Sequence, residues 1–238
     1  MRAARILAGA LALGVTATLS VTLPAVAASN ATEYVALGDS YSSGVGTGDY
    51  DPSSGGCKRS PHAYAALWNA EHKPGSFDFV ACSGATTASV ISSQLSALDA
   101  ATDLVTITVG GNDAGFTSVM ETCVIGSIGG SSACDSATTK AINYVHTTLP
   151  GKLDQVYAQI HAKAPAAHVV VLGYPRLYTL GGSCHIGIGD ASRADVNNAA
   201  DALDDQIAKE AANAGFDFVD VRAAFADHGI CSSDWWLN

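Results

Sequence analysis

Five short runs of apolar and β-branched residues, Tyr34 to Leu37, Phe77 to Ala81, Leu104 to Val109, His168 to Leu172 and Phe216 to Val221, are separated by segments of helical spacing. Runs this short, bounded by turn residues, read as strands. The segments Pro61 to Glu71, Ala88 to Ala100, Ala137 to Ala164 and Ala191 to Ala214 read as helices. Such alternation favours parallel pairing, because a crossover containing a helix returns the chain to the same end of the sheet. The expected fold is therefore α/β, a mostly parallel five-stranded sheet with helices on both faces. Three stretches rich in glycine or serine, Ser42 to Arg59, Gly110 to Asp135 and Tyr174 to Gly189, read as ordered loops. All three follow the carboxyl ends of expected strands, where open α/β sheets place their ligand sites.

The fold does not begin at residue 1. Arg2 and Arg5 precede an apolar stretch from Ile6 to Leu23, and Ala25-Val26-Ala27 supplies the small residues of a cleavage site. Residues 1–28 are thus expected to be a secretory signal, interrupted by too many threonines and serines to serve as a stable membrane anchor. Residues 29–238 are then expected to form one domain, large enough for a sizeable core. Setting aside Arg2 and Arg5 leaves 10 basic against 22 acidic residues, a balance of about −12. No basic cluster accompanies it, which argues against nucleic acid or an anionic membrane surface as partner. Cys57, Cys82, Cys123, Cys134, Cys184 and Cys231 all follow the signal, and an even count in an oxidising compartment points to disulfides. The absence of any C-x-x-C or H-x-x-x-H spacing makes a zinc site unexpected. Six cysteines allow 15 pairings, of which nearest-neighbour pairing is the simplest.

Three strand ends carry candidate chemistry. Val35-Ala36-Leu37-Gly38-Asp39-Ser40 places a serine where an apolar strand turns, exposed for nucleophilic attack, although the same tripeptide suits an ordinary helix N-cap. Ala81-Cys82-Ser83-Gly84 offers a glycine whose backbone N–H could approach an oxyanion, or a plain turn. Gly110-Gly111-Asn112-Asp113 follows the central strand with an amide donor, or with an Asx-turn. Each signal is weak alone; their order at successive strand ends is far more specific.

On these residues the chain resembles the GDSL, or SGNH, hydrolase family. Ser40 matches its serine block, Gly84 its glycine block and Gly110-Gly111-Asn112-Asp113 its G-x-N-D block. The strings Gly-Asp-Ser-Tyr-Ser-Ser-Gly and Ala-Cys-Ser-Gly-Ala-Thr-Thr, with the six cysteines, are most similar to secreted actinobacterial, Streptomyces-type lipases and esterases. The resemblance spans residues 33 to 238. It implies a three-layer α/β/α fold and a lipase or carboxylesterase working through an acyl-serine intermediate. Ser40 would be the nucleophile, with the N–H groups of Ser40 and Gly84 and Asn112 Nδ2 holding the oxyanion, and with no metal or cofactor. It further implies disulfides in sequence order, 57–82, 123–134 and 184–231, and a monomer acting on a small-molecule or lipid ester. A carbohydrate deacetylase and a fold-only lipid- or glycan-binding protein without a base are the alternative readings.

The family's histidine block has no match. His228 follows the last strand, but position 225 is Phe where an aspartate would stand, and Cys231 draws His228 into a bridged loop. The general base is therefore expected beyond Asn238. Two features of the tail agree: no helix follows the fifth strand, and Trp235-Trp236 form an apolar pair with few local partners. His185, beside Cys184, is a candidate pocket residue and not a candidate base. His62, His72, His146, His161 and His168 are expected on surfaces or in packing. Asp39 cannot act as the acid for its own neighbour, and Asp113 is expected to brace the Asn112 loop. Ile125, Ile128, Leu177, Leu180, Ile186 and Ile188 are the candidate acyl-site residues.

Overall fold

The computed structural model describes residues 31–126, 132–181 and 188–237. The expected signal, residues 1–28, lies outside them. Five strands, β1 Glu33–Ala36, β2 Ser76–Phe79, β3 Leu104–Ile107, β4 His168–Leu172 and β5 Asp217–Val219, form one parallel sheet in the order β2-β1-β3-β4-β5. That order matters for the site. After β1 the chain moves outward to β2, then returns across β1 to β3 and continues the other way. The crevice at the carboxyl ends of β1 and β3 is thus the point where the winding reverses, the usual ligand position in such sheets.

Side chains on a strand alternate faces, and the two faces of this sheet are distinct. Val35 and Leu37 from β1 and the residues after it, with Val105, Ile107 and Val109 from the β3 segment, enter the main core. They meet α6 (Leu149–Lys163) through Leu149, Leu153, Val156 and Ile160, and α7 (Asp190–Asn213) through Leu203 and Ile207. Each such aliphatic side chain withdrawn from water contributes about 1.5–3 kcal/mol. On the opposite face Tyr34 and Ala36 pack under α2 (Tyr64–His72) with Trp68, Phe77 and Phe79. Beyond α2 this face is only partly covered: Val219 of β5 is 44% exposed.

Several expected boundaries are corrected. The helix expected over 137–164 is two, α5 (Ser132–Thr147) and α6, because Pro150 lies in the first turn of α6. Proline lacks the N–H an uninterrupted helix needs but suits a first turn. The loop expected over 110–135 contains α4 (Phe116–Gly126), tied to α5 by the Cys123–Cys134 disulfide. The stretch expected as a helix over 88–100 is irregular: α3 (Thr87–Ser89) passes into a π-turn over Val90–Gln94 and a 3₁₀ turn over Leu95–Ala97. The wider turn carries Gln94 inward, where its amide accepts from Gly38 N–H and donates to Gly38 O, both at 2.8 Å. The loop expected over 42–59 begins inside α1 (Ser40–Ser43) and holds a 3₁₀ helix over Pro52–Cys57.

The tail is also better packed than its composition suggests. Trp236 stacks on the His228 ring at 3.5 Å, meets Phe225 edge-on at 5.5 Å, and donates its backbone N–H to His228 O at 2.9 Å. The expectation of few local partners is thus wrong for Trp236, although both tryptophans stay about half exposed, Trp235 at 45% and Trp236 at 52%.

Candidate active site

Ser40 opens α1 directly after β1, and the turn before it can be made only by glycine. Gly38 has φ +128°, and a Cβ there would lie 2.5 Å from Ser42 Oγ and 2.7 Å from Thr108 O. Asp39 caps α1, its carboxylate accepting from Tyr41 N–H at 3.0 Å. The carboxylate is buried and also accepts from Thr108 Oγ1 at 2.8 Å and Tyr174 OH at 2.5 Å. Burial pushes the Asp39 carboxyl upward, and the Tyr174 and Thr108 hydroxyls and two backbone N–H groups pull it back. Thr108 Oγ1 continues to Ser42 Oγ at 2.8 Å and thence to Tyr64 OH at 3.0 Å, so a buried run of hydroxyls leads to the carboxylate under Ser40.

The other two blocks are fastened to the first. Cys82 N–H donates to Gly38 O at 3.0 Å, and Ser83 N–H to Cys57 O at 3.0 Å, beside the Cys57–Cys82 disulfide. Gly84 follows with φ +79° and open space where a Cβ would be. Asn112 Nδ2 donates one hydrogen to Ala85 O at 3.0 Å, leaving the amide's second N–H for another acceptor. Asp113 braces this loop as expected: it accepts from Thr87 N–H at 2.8 Å and Thr87 Oγ1 at 2.7 Å, with Lys152 Nζ at 3.6 Å. The disulfides 57–82 and 123–134 match the sequence-order pairing. Cys231 is also disulfide-bonded, and Cys184 lies outside the described residues.

Ser40 and Asn112 line one cavity of about 510 Å³. Gly84 is not among its lining residues, although its turn is bonded to Asn112. One wall comes from helices, through Val119 of α4, Ala141 and Val145 of α5, and Val196, Ala200 and Leu203 of α7. Of the expected acyl-site residues Leu177 lines the cavity, Leu180 is 51% exposed, and Ile188 is buried against Val119, Cys134 and Val196. The Ile125 side chain, Ile128, Ile186 and His185 lie outside the description. The helical wall was readable as i, i+4 pairs of small apolar residues, but α4 hid within an expected loop. From the sequence, His62 is expected on a surface or in packing, and Tyr174 is singled out only as the start of a loop. His62 lines the cavity, its Nε2 3.3 Å from Asp49 Oδ2, and Tyr174 lines it from the loop after β4. His228 is not among the lining residues, and its Nδ1 lies 2.7 Å from Asp234 O.

Asp204 of α7 anchors Tyr174 from behind. Its Oδ1 accepts Tyr174 N–H at 2.8 Å, and Arg222 Nε lies 3.7 Å from Oδ2. Burial outweighs both partners and raises this carboxyl to about 7. A carboxyl raised on folding binds more protons folded than unfolded. Its stabilising contribution is therefore full below about pH 4 and is lost as pH rises towards 7. Asp204→Asn keeps the oxygen facing Tyr174 and should reduce the fall in Tm between pH 5 and pH 8; equal falls in both proteins would refute this source.

A parallel α/β sheet with polar strand-end loops over an aliphatic cavity is the form of a carboxylic ester hydrolase, and the comparisons with known proteins agree. Residues 36–238 match the GDSL-like Lipase/Acylhydrolase family, and the chain belongs to that family. A lipase of Streptomyces rimosus is 56% identical over 208 residues, 87% of this chain and 76% of the relative. Lipase 1 of Streptomyces coelicolor is 52% identical over 228 residues, 96% of this chain and 84% of the relative. Among solved structures, the extracellular lipase of Streptomyces rimosus superposes with a TM-score of 0.83, covering 87% of this chain and 88% of that one. The phospholipase A1 of Streptomyces albidoflavus gives 0.84 at 53% identity, covering 87% of each chain.

Proposed function

We propose that the protein is an exported hydrolase of lipid acyl esters in which Ser40 is the nucleophile. The observation that carries this reading is the shared cavity: Ser40 and Asn112 stand on the wall of a space otherwise bounded largely by aliphatic side chains. Ser40 Oγ adds to the ester carbonyl carbon as a base removes its proton, and the oxyanion is held by the N–H groups of Ser40 and Gly84 and by Asn112 Nδ2. Collapse expels the alcohol, and water then cleaves the acyl-serine. The base that the family resemblance implies is a histidine, and Trp236 and Leu237 line the Ser40 cavity from the C-terminal side of the fold. The names lipase and phospholipase A1 carried by relatives support glycerolipid esters as the substrate class. Export is supported by the signal-like Met1–Ala28 stretch and the disulfides.

The acyl chain would lie against the α4–α5–α7 wall. Each buried methylene contributes about 0.8 kcal/mol, up to about fourfold in kcat/KM. For p-nitrophenyl esters, kcat/KM should climb steadily from acetate to octanoate. A maximum at acetate, with turnover of acetylated sugars, would replace this reading with a deacetylase.

A further inference from the structure

In the sequence Tyr174 merely opens a loop after the fourth strand; in the structure its hydroxyl stands between the two halves of the site. The oxygen donates to Asp39 Oδ2 at 2.5 Å, and the end of the ring that carries it packs against the backbone of Gly111. Gly111 lies against the ring, such that a Cβ there would be 3.6 Å from the ring carbon bearing the hydroxyl and 3.7 Å from the oxygen. Asp39 immediately precedes Ser40, and Gly111 immediately precedes Asn112. One side chain therefore touches both the residue before the proposed nucleophile and the residue before the proposed oxyanion donor.

The position of this contact along the strands gives it its importance. β1 and β3 are registered by backbone hydrogen bonds that continue past the strands proper, through Leu37 N–H to Thr106 O at 2.9 Å and Asp39 N–H to Thr108 O at 3.1 Å. Beyond Thr108 the chains separate into their own turns, Asp39 into α1 and Gly110-Gly111 toward α4. Tyr174 continues the cross-strand link where that ladder stops. It is itself held: its N–H by Asp204, and its ring beside Tyr41 with centroids 5.8 Å apart. The acceptor is a buried carboxylate, which makes the bond charge-assisted and resistant to exchange with water.

We propose that Tyr174 is a positioning residue for ester hydrolysis, setting the separation between Ser40 and Asn112 through its hydroxyl bond to Asp39 and the packing of its ring against Gly111. This rests on the reading of Ser40 and Asn112 under Proposed function. An oxyanion donor acts only when aimed at the place where charge develops, and a displacement of about 1 Å can cost about 10²-fold in rate. The effect belongs in kcat, because the hydroxyl removed by Tyr174→Phe bonds to Asp39, on the nucleophile's side of the cavity.

The test is Tyr174→Phe in the native secreted protein, assayed on p-nitrophenyl octanoate. The expected result is a fall in kcat of about 10- to 100-fold, with KM within about threefold and an equal fall in the rate of labelling by a fluorophosphonate. The pH profile gives a readout that looser packing would not move. Asp39 faces the hydroxyls of Tyr174 and Thr108, with the Ser42 and then the Tyr64 hydroxyl further along the hydroxyl run. Loss of the Tyr174 donor raises the Asp39 pKa, and because protonating Asp39 weakens the hydrogen-bond network under Ser40, the acid limb of kcat should move to higher pH. Tyr157→Phe, at a buried tyrosine of α6 whose hydroxyl has no hydrogen-bond partner among the described residues, is the control and should leave kcat and the acid limb in place. If Tyr174→Phe does not fold, Asp39→Asn removes the accepting carboxylate and must show the same loss at constant KM. Unchanged kcat and labelling in the folded variant, with only Tm lowered, would overturn the proposal. Turnover surviving in Ser40→Ala would instead overturn the underlying assignment, whatever Tyr174→Phe shows.

Discussion

Ser40→Ala should lower ester turnover by at least about 10⁴-fold and abolish labelling by a fluorophosphonate, while leaving the fold intact. The separation of activity from stability follows from the structure. Among the described residues no hydrogen bond ends on Ser40 Oγ, whereas the turn around it is held by Gly38, Asp39 and the backbone of α1. Removing the hydroxyl therefore deletes the attacking atom without opening the network beneath it, and stability should stay within about 0.5 kcal/mol of the parent. The same labelling assay discriminates between bases. His62 shares the cavity with Ser40 and is paired with Asp49, so His62→Ala is the informative companion. A base other than His62 predicts less than about a tenfold loss in His62→Ala; a loss comparable to Ser40→Ala would move the base to His62.

The strands were legible because their signal is local. Tyr34 to Leu37 and His168 to Leu172 are short apolar runs between turn residues, and the structure places strands there within a residue or so. The faces were legible in part: Tyr34 and Ala36 alternate with Val35 and Leu37, and each pair meets a different helical layer. Strand order is another matter. That β1 sits between β2 and β3, so that Ser40 and Asn112 emerge on adjacent strands, depends on which crossovers pack best over the whole sheet. No local pattern records it. Only the matching blocks of a known family supplied the proximity of the three strand ends.

The irregular parts of the site were illegible for the same reason. Val90 to Gln94 has helical composition, yet its π-turn exists because Gln94 pairs with the backbone of Gly38, 56 residues earlier. Tyr174 and Asp39 are 135 residues apart, and neither position announces a partner. Asp39 itself reads as an N-cap, which it is, but capping uses only one of its contacts; burial and two hydroxyl donors make it the centre of the network. In Asn112 and Asp113 the sequence suggested either an Asx-turn or an oxyanion loop. In the structure Asn112 and Asp113 also bond to Ala85 and Thr87, so the pair binds one strand end to another.

That double attachment shapes the second large effect, in Asn112→Ala. The amide has two hydrogens: one is committed to Ala85 O, and its commitment fixes the plane of the group and hence the direction of the other. A preorganised donor of this kind is worth about 10²–10³ in kcat, because it need not reorient as charge develops on the carbonyl oxygen. Asn112→Ala should lose that factor with KM little changed, while the broken bond to Ala85 costs about 1 kcal/mol of stability. Asn112→Asp should lose more. Its carboxylate would place a negative charge beside the developing oxyanion and against Ala85 O, next to an Asp113 already engaged by Thr87 and Lys152. The ratio between the two variants measures the electrostatic share of the effect directly. If Asn112→Asp were as active as Asn112→Ala, the side chain would serve only to hold the Ala85 loop, and the oxyanion would have to be stabilised by backbone N–H groups alone.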